Sequence, residues 1–494
     1  MFRSLLIASV LLCSLASLTT AQDSTEVINP LVRVVDLDVG DAQDVVLCNG
    51  KTVSVKVLDL LERRDKIRNA VRSACVKVEI DGVVIAIESA NYRLPQKIGN
   101  VQFDCPITKG LTANTSKNAW GLDRDVRLRL WPADSPLIAR GTFVYPIKQR
   151  WFASSTQMAN EPCYVDSAEQ PSVRSIYYHY GLDFGGVEGI DEIVAATDGT
   201  VVSARNDRLA GHSDSPVRPR YDVVYIRDAR GWYYRYSHFY SIDEAIQPGV
   251  KVKAGQRLGL LGKEGGSGGW THLHFDIHCR MPSGRWGCQE AYAFAWQAYL
   301  DQYKPKLLAV ARPHHVALTG ETVELDGSRS YSATGDNLSC RWEFTDETTA
   351  ECPKVSRTYS TPGYYSEILK VTDKSGRVDY DFAIVHVFDR NNPGRMTHAI
   401  HASYYPTFGI GSGDEVTFKV RTFATTDGQE IWDFGDGTPP VTTKSDGNVA
   451  KLAKDGYASV KHRYERAGHY LVCVERTDRN GQKATCRLQV RVGK

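Results

Sequence analysis

The chain reads as mainly β and multidomain, and three observations carry that reading. Its 494 residues exceed what one hydrophobic core organises and imply roughly three to four domains. Short runs alternate apolar and polar residues between Gly-, Pro- and Asp-containing turns, the period of half-buried strands. Beyond residue 306 two segments repeat one plan, as tandem β-sandwiches do.

Residues 1–21 combine Arg3, an apolar run and small residues ending at Ala21, the pattern of a secretory leader cleaved after Ala21. A membrane anchor is disfavoured because the run is short, and lipid attachment at Cys13 because that residue lies inside the run. Residues 22–160 mix "VSVKVLDLL" and "VRLRLWPA" with a charged, helix-like piece, "LLERRDKIRNAVRSA". They read as a β-rich accessory or pro-domain. Residues 161–305 hold "EIVAATDGTVVSAR", "YDVVYIRDARGWYYRYSHF" and "QRLGLLG", an all-β unit closed by a helix over "AWQAYLDQYK". Residues 306–390 and 391–494 are the repeated units, divided near "FDRNNPGRM".

The formal charge is +2 and no basic run occurs, which argues against nucleic acid or an anionic membrane as the main partner. No later segment is apolar enough to span a bilayer, so the mature chain is expected to be secreted or periplasmic, without membrane insertion, and a monomer. Leaving out Cys13, ten cysteines remain, an even number suited to disulfides in an oxidising compartment. Cys279 with Cys288, Cys340 with Cys352, and Cys473 with Cys486 are the expected close pairs. Cys48, Cys75, Cys105 and Cys163 then allow two more bridges in three connectivities. No C-x-x-C is present, so a thiolate metal site is not expected.

The chemistry concentrates in "GGWTHLHFDIH", residues 268–278. In a strand, His272, His274, Asp276 and His278 share one face, while Leu273, Phe275 and Ile277 face a core. Upstream, "HYGLDFGG" supplies His179 and Asp183; Gly181 between them argues for loop or strand over helix. "YRYSHFYS" supplies His238. A catalytic zinc site wants three nitrogen or oxygen ligands and an open position, and nearby imidazoles can move protons or hold an oxyanion. Five such groups are present, with His278 to spare; it reads as a surface residue beside Cys279.

These motifs, with "DGTVVSA" and "VKAGQRLGLLGKEGGSGG" between them, follow the order found in the lysostaphin/LytM-type zinc metallopeptidases. Over roughly residues 175–280 the chain resembles that family. The resemblance implies a β-barrel-like sandwich and one zinc ion per chain, held by His179, Asp183 and His274, with His238 and His272 in catalysis. It implies hydrolysis of peptide bonds, foremost in peptidoglycan cross-links. One imidazole would help to deprotonate the attacking water and the other would stabilise the oxyanion, in either assignment. Alternatives are the same chemistry on glycine-rich structural proteins such as elastin or collagen, or a non-catalytic cell-wall-binding or activator module. The last is disfavoured because all five positions are filled. No H-E-x-x-H is present, so no glutamate base of that kind exists.

"GGSGG" formally matches G-x-S-x-G around Ser267, but a strand follows where a nucleophile elbow needs a helix. It reads as a rim of the substrate groove. "WDFGDG" at 432–437, followed by "YERAGHYLV", resembles polycystic-kidney-disease-type (PKD) repeats, which are immunoglobulin-like sandwiches; Trp432 would plug the core. The first copy departs at its turn, reading "WEFTDE". Both copies are expected to deliver or space the peptidase unit. Tyr364, Tyr365 and Tyr470 are expected to be structural, and His314, His315, His398 and His401 to be ordinary polar positions.

Overall fold

Strand Thr52–Arg64 buries Val53, Val55 and Val57 at alternate positions and pairs antiparallel with Val71–Ile80, which buries Val76, Val78 and Ile80. The computed structural model describes residues 28–89, 91–112, 118–156, 158–159, 161–164, 176–393 and 397–493. The proposed leader, with Cys13 and Ala21, lies outside them. The helix expected over "LLERRDKIRNAVRSA" does not form. That stretch is the end of one strand, a turn through Asn69 at φ 57°, and the start of the next. The alternating valines on either side, Val53 to Val57 and Val76 to Val78, carry the antiparallel pairing into this stretch and outweigh the local helix propensity of its charged residues. Two four-stranded sheets close this N-terminal region over Val35, Val55, Val78, Phe103 and Leu128.

The central unit is built on an eight-stranded sheet in which Leu182–Gly185, His272–Arg280, Tyr233–Ser237 and Val223–Arg227 are successive neighbours. Leu273, Phe275 and Ile277 are fully buried with Phe184, Tyr234 and Tyr236. A one-residue slip would turn that trio out of the core, at roughly 1.5–3 kcal/mol for each side chain. The core therefore dictates which face the histidines occupy. The helix Tyr292–Tyr303 stands where it was expected and packs Tyr299 on Tyr145 and Trp296 on Trp151.

The C-terminal sandwiches bury Trp342 and Trp432 completely. In "WEFTDE", Glu347 takes the left-handed conformation at φ 65° and its N–H donates to the Phe344 carbonyl at 2.8 Å, so the turn closes without glycine. The two units are not separate spacers. Strand Gly363–Thr372 of the first meets Lys483–Gly493 of the second in parallel, through Tyr364 and Ala484, and one ten-stranded sheet runs through both. Tyr364 and Ile384 join the core of the second unit.

The expected disulfides need correction. The described cysteines are free thiols. Cys279 lies opposite Gly287 and His278 opposite Cys288, so Cys279 and Cys288 point to opposite faces of the sheet. Cys473 faces Arg487 and Val474 faces Cys486, which separates that pair in the same way. Proximity in sequence across a hairpin does not make a pair when the register is offset by one. The Cys163 side chain lies outside the described residues. Among the described residues no helix is long and apolar enough to cross a membrane.

Candidate active site

Register assembles the site. Asp183 lies directly opposite His274, and Ser237 lies opposite His274 on the other side, so three neighbouring strands aim at one point. His179 precedes the first of these strands. Gly181 turns the chain between them at φ +88°, and a Cβ there would lie 2.6 Å from the Phe275 carbonyl, so glycine is required. His238 follows the strand Tyr233–Ser237 and takes φ +73°, which bends its ring back over the sheet, 4.7 Å from the His272 ring.

The five residues expected from sequence therefore come together. His179 Nε2 lies 2.9 Å from His274 Nδ1 and 3.1 Å from Asp183 Oδ1, and His274 Nδ1 lies 3.0 Å from Asp183 Oδ1. His179 Nδ1–H donates to the Ala159 carbonyl at 2.9 Å and His274 Nε2–H to Asp276 Oδ2 at 3.0 Å. Those acceptors leave lone pairs on the two inward nitrogens, facing a carboxylate oxygen. Tetrahedral bonds of roughly 2.0–2.1 Å require ligand–ligand edges of about 3.3 Å, close to this triangle. The donor set fits a divalent metal ion, with His179, Asp183 and His274 as its holders.

His272 and His238 stand beside the triangle. His272 Nδ1–H donates to the Trp270 carbonyl at 2.9 Å, and its Nε2 lies 3.5 Å from Asp183 Oδ2. His238 Nδ1–H donates to the Glu264 carbonyl at 2.6 Å, and its backbone N–H to Asp222 Oδ2 at 3.2 Å. Burial pushes His272 down to about 3 and lowers His238, so both are neutral rings with Nε2 open to accept a proton. Burial alone would raise the Asp183 carboxyl. The surrounding imidazoles of His179, His272 and His274 outweigh it electrostatically and hold Asp183 well below the usual carboxylate range. For His274, burial is outweighed by its bonds to Asp183 and Asp276, which raise it.

A cavity of about 620 Å³ opens over these groups. Its wall includes His314, His315, Tyr364 and His386 from the first C-terminal sandwich and Arg72 from the N-terminal region. His314 and His315 are thus cavity residues, contrary to expectation, while His398 and His401 are buried. His278 is also not a simple surface residue: it ion-pairs with Asp276 and contacts Cys288. Sequence reasoning gave Asp276 no role, although its place on the histidine face was the available signal. Ser267 Oγ donates to the Lys263 carbonyl and accepts from Gly269 N–H, as a turn residue does. Gly266, Ser267 and Gly268 line the cavity.

Residues 177–283 match Peptidase family M23, and residues 305–387 and 402–492 each match a PKD domain. Among curated proteins, Peptidoglycan DD-endopeptidase ShyA of Vibrio cholerae is 29% identical over 136 residues, 28% of this chain and 27% of that protein. The match thus spans only about a quarter of that relative's length. Among solved structures, Helicobacter pylori Csd3 is 13% identical, with 53% of this chain and 82% of that chain covered at a TM-score of 0.22. The fibronectin(III)-like modules of Clostridium thermocellum CbhA are 10% identical, covering 36% and 89% at a TM-score of 0.14. Neither structural likeness bears on the fold. The five assembled residues all lie within the family match: this chain carries a Peptidase family M23 domain followed by two PKD domains.

Proposed function

We propose that the protein is an exported, zinc-dependent endopeptidase that hydrolyses peptide bonds in peptidoglycan cross-links, acting as a monomer. The observation that carries this reading is the triangle of His179 Nε2, Asp183 Oδ1 and His274 Nδ1, with edges of 2.9–3.1 Å, beside two neutral imidazoles. The similarity to the Vibrio cholerae endopeptidase supports peptidoglycan as the substrate. Two imidazoles and one carboxylate, without thiolate, suit zinc in a catalytic setting.

When bound, zinc supplies Lewis acidity, lowering the pKa of water towards neutrality and polarising the scissile carbonyl. The chain's own residues do the rest. The Trp270 and Glu264 carbonyls hold the Nδ1–H of His272 and His238, so each ring offers Nε2 to the cavity. One Nε2 accepts the proton of the attacking water and passes it to the leaving amine; the other ring takes up a solvent proton at Nε2 as negative charge develops beside it and donates that N–H to the oxyanion. Residues 22–160 act as a fixed accessory domain: buried Arg129 donates to the Glu290 carbonyl at 3.0 Å, and Val71 N–H to Tyr178 Oη at 2.5 Å.

The test incubates purified mature protein with peptidoglycan sacculi and, separately, with elastin, and reads released peptides by mass spectrometry. Cross-link cleavage in sacculi that disappears in Asp183→Ala and His272→Ala is the expected result. Release from elastin alone would move the substrate to structural protein. Equal release by wild type and both variants would remove the mechanism.

A further inference from the structure

The loop carrying Trp270 and Thr271 is gripped by the second PKD domain. Arg421, fully buried and paired with Asp446, donates from Nη1 to the Gly269 carbonyl at 2.9 Å. Asn448 Nδ2 donates to the Gly268 carbonyl at 3.1 Å, and Thr271 N–H donates to Tyr457 Oη at 3.0 Å. Trp270 stacks on Phe423 with ring centroids 3.8 Å apart and planes 6° from parallel. His401 ties Tyr457 Oη, at 2.8 Å, to Ser154 Oγ, at 3.0 Å, which anchors the grip to the segment that precedes the peptidase unit.

The loop is shaped for this contact. Gly268 and Gly269 take φ +70° and +91°, and a Cβ on Gly269 would lie 2.1 Å from Asn448 Oδ1. Its next residues bear on the chemistry, because the Trp270 carbonyl is the acceptor that orients His272. A module that only delivered the enzyme to a polymer would have no need to reach this backbone.

We propose that the second PKD domain is a positioning element of the peptidase site, with Phe423, Tyr457 and Arg421 holding Gly268–Thr271 so that the Trp270 carbonyl orients His272. This rests on the reading of His272 as a catalytic imidazole. Phe423, Tyr457 and Arg421 touch no substrate and act through Trp270 and Thr271. The rigid seat removes loop entropy that the site would otherwise lose on reaching its reactive geometry.

The test uses the full mature chain with Tyr457→Phe, which deletes one hydroxyl, Phe423→Ala, which deletes the stack, and Phe423→Tyr, which keeps it. Amide hydrogen exchange of residues 266–273 and steady-state kinetics on a soluble cross-linked muropeptide dimer are read side by side, with sacculi as a second substrate. In Tyr457→Phe and Phe423→Ala the loop amides are expected to exchange at least tenfold faster. The kcat on the soluble dimer is expected to fall at least tenfold with KM within twofold, and Phe423→Tyr to behave as wild type. Wild-type protection in both variants overturns the proposal, as does a loosened loop with unchanged kcat. Activity lost on sacculi alone overturns it too, since that is the signature of anchoring. If wild type leaves the dimer intact, the peptidoglycan reading fails, and the exchange data alone then support or sink the positioning contact.

Discussion

Asp276 Oδ2 accepts the Nε2–H of His274 at 3.0 Å and is itself held by Arg235 Nη1 at 3.3 Å. The carboxylate fixes which nitrogen of His274 faces Asp183 and His179. Asp276→Asn keeps the shape but removes the charge that favours this tautomer. Zinc affinity is expected to fall by roughly ten- to a hundredfold, as for other partners of metal-bound histidines. Competition against a chromogenic chelator measures it, and an unchanged affinity would deny Asp276 this role.

His238 and His272 lie outside the metal triangle, so their loss separates proton transfer from metal binding. His238→Ala and His272→Ala are each expected to lower kcat by roughly 10²–10⁴-fold while the zinc content stays near one per chain. Asp183→Ala is expected to lose both. Elemental analysis alongside muropeptide kinetics distinguishes the two patterns.

Removal of the metal gives an independent check. Dialysis against a strong chelator is expected to abolish peptide release, and one equivalent of zinc to restore it. On the proposed reading zinc favours the folded triangle over the unfolded chain, so the melting temperature is expected to rise with added zinc. A melting curve indifferent to zinc would contradict the proposed site.

Gly181 is the hinge between His179 and Asp183. Gly181→Ala places a Cβ 2.6 Å from the Phe275 carbonyl at φ +88°. The strained backbone and the contact together are expected to cost about 2 kcal/mol or more, with zinc affinity falling in parallel. Thermal melts of the metal-free protein, followed by zinc titration, test both parts.

Asp191 is fully buried and accepts the Val187 N–H at 2.6 Å. Burial pushes its carboxyl from 3.8 up to about 7. The folded chain therefore keeps a proton that the unfolded chain releases. The stability this contributes is fully present below the unfolded value and is lost as pH rises through about 7. Asp191→Asn cannot titrate, so its melting temperature is expected to fall less than that of wild type across this window. Calorimetry at several pH values between about 4 and 8 reads the difference in slope.

The alternation in "THLHFDIH" made a strand with one imidazole face legible at once, because the period of two is local and the apolar trio must be buried. Gly181 likewise marked a bend in place of a helix. Other features depended on partners remote in sequence. Reading "LLERRDKIRNAVRSA" as helical weighed local propensity, whereas pairing in a hairpin decided its state. The pairs Cys279 with Cys288 and Cys473 with Cys486 failed because a register offset of one residue, invisible in spacing, sends the two cysteines to opposite faces. His314 and His315 carried no motif, and their places came from packing between units.

The sequence and its family resemblance singled out His179, Asp183 and His274 as candidate ligands and His238 and His272 as candidate catalytic imidazoles, and its alternation marked the strand that carries two of them. Their convergence to within about 3 Å came from the fold, through the register of Asp183 opposite His274 and the left-handed bend at His238. So did the seating of the C-terminal sandwiches against the site. Side-chain chemistry and the period of two are local properties, whereas distances between segments 95 residues apart, as from His179 to His274, exist only once a common core has been buried.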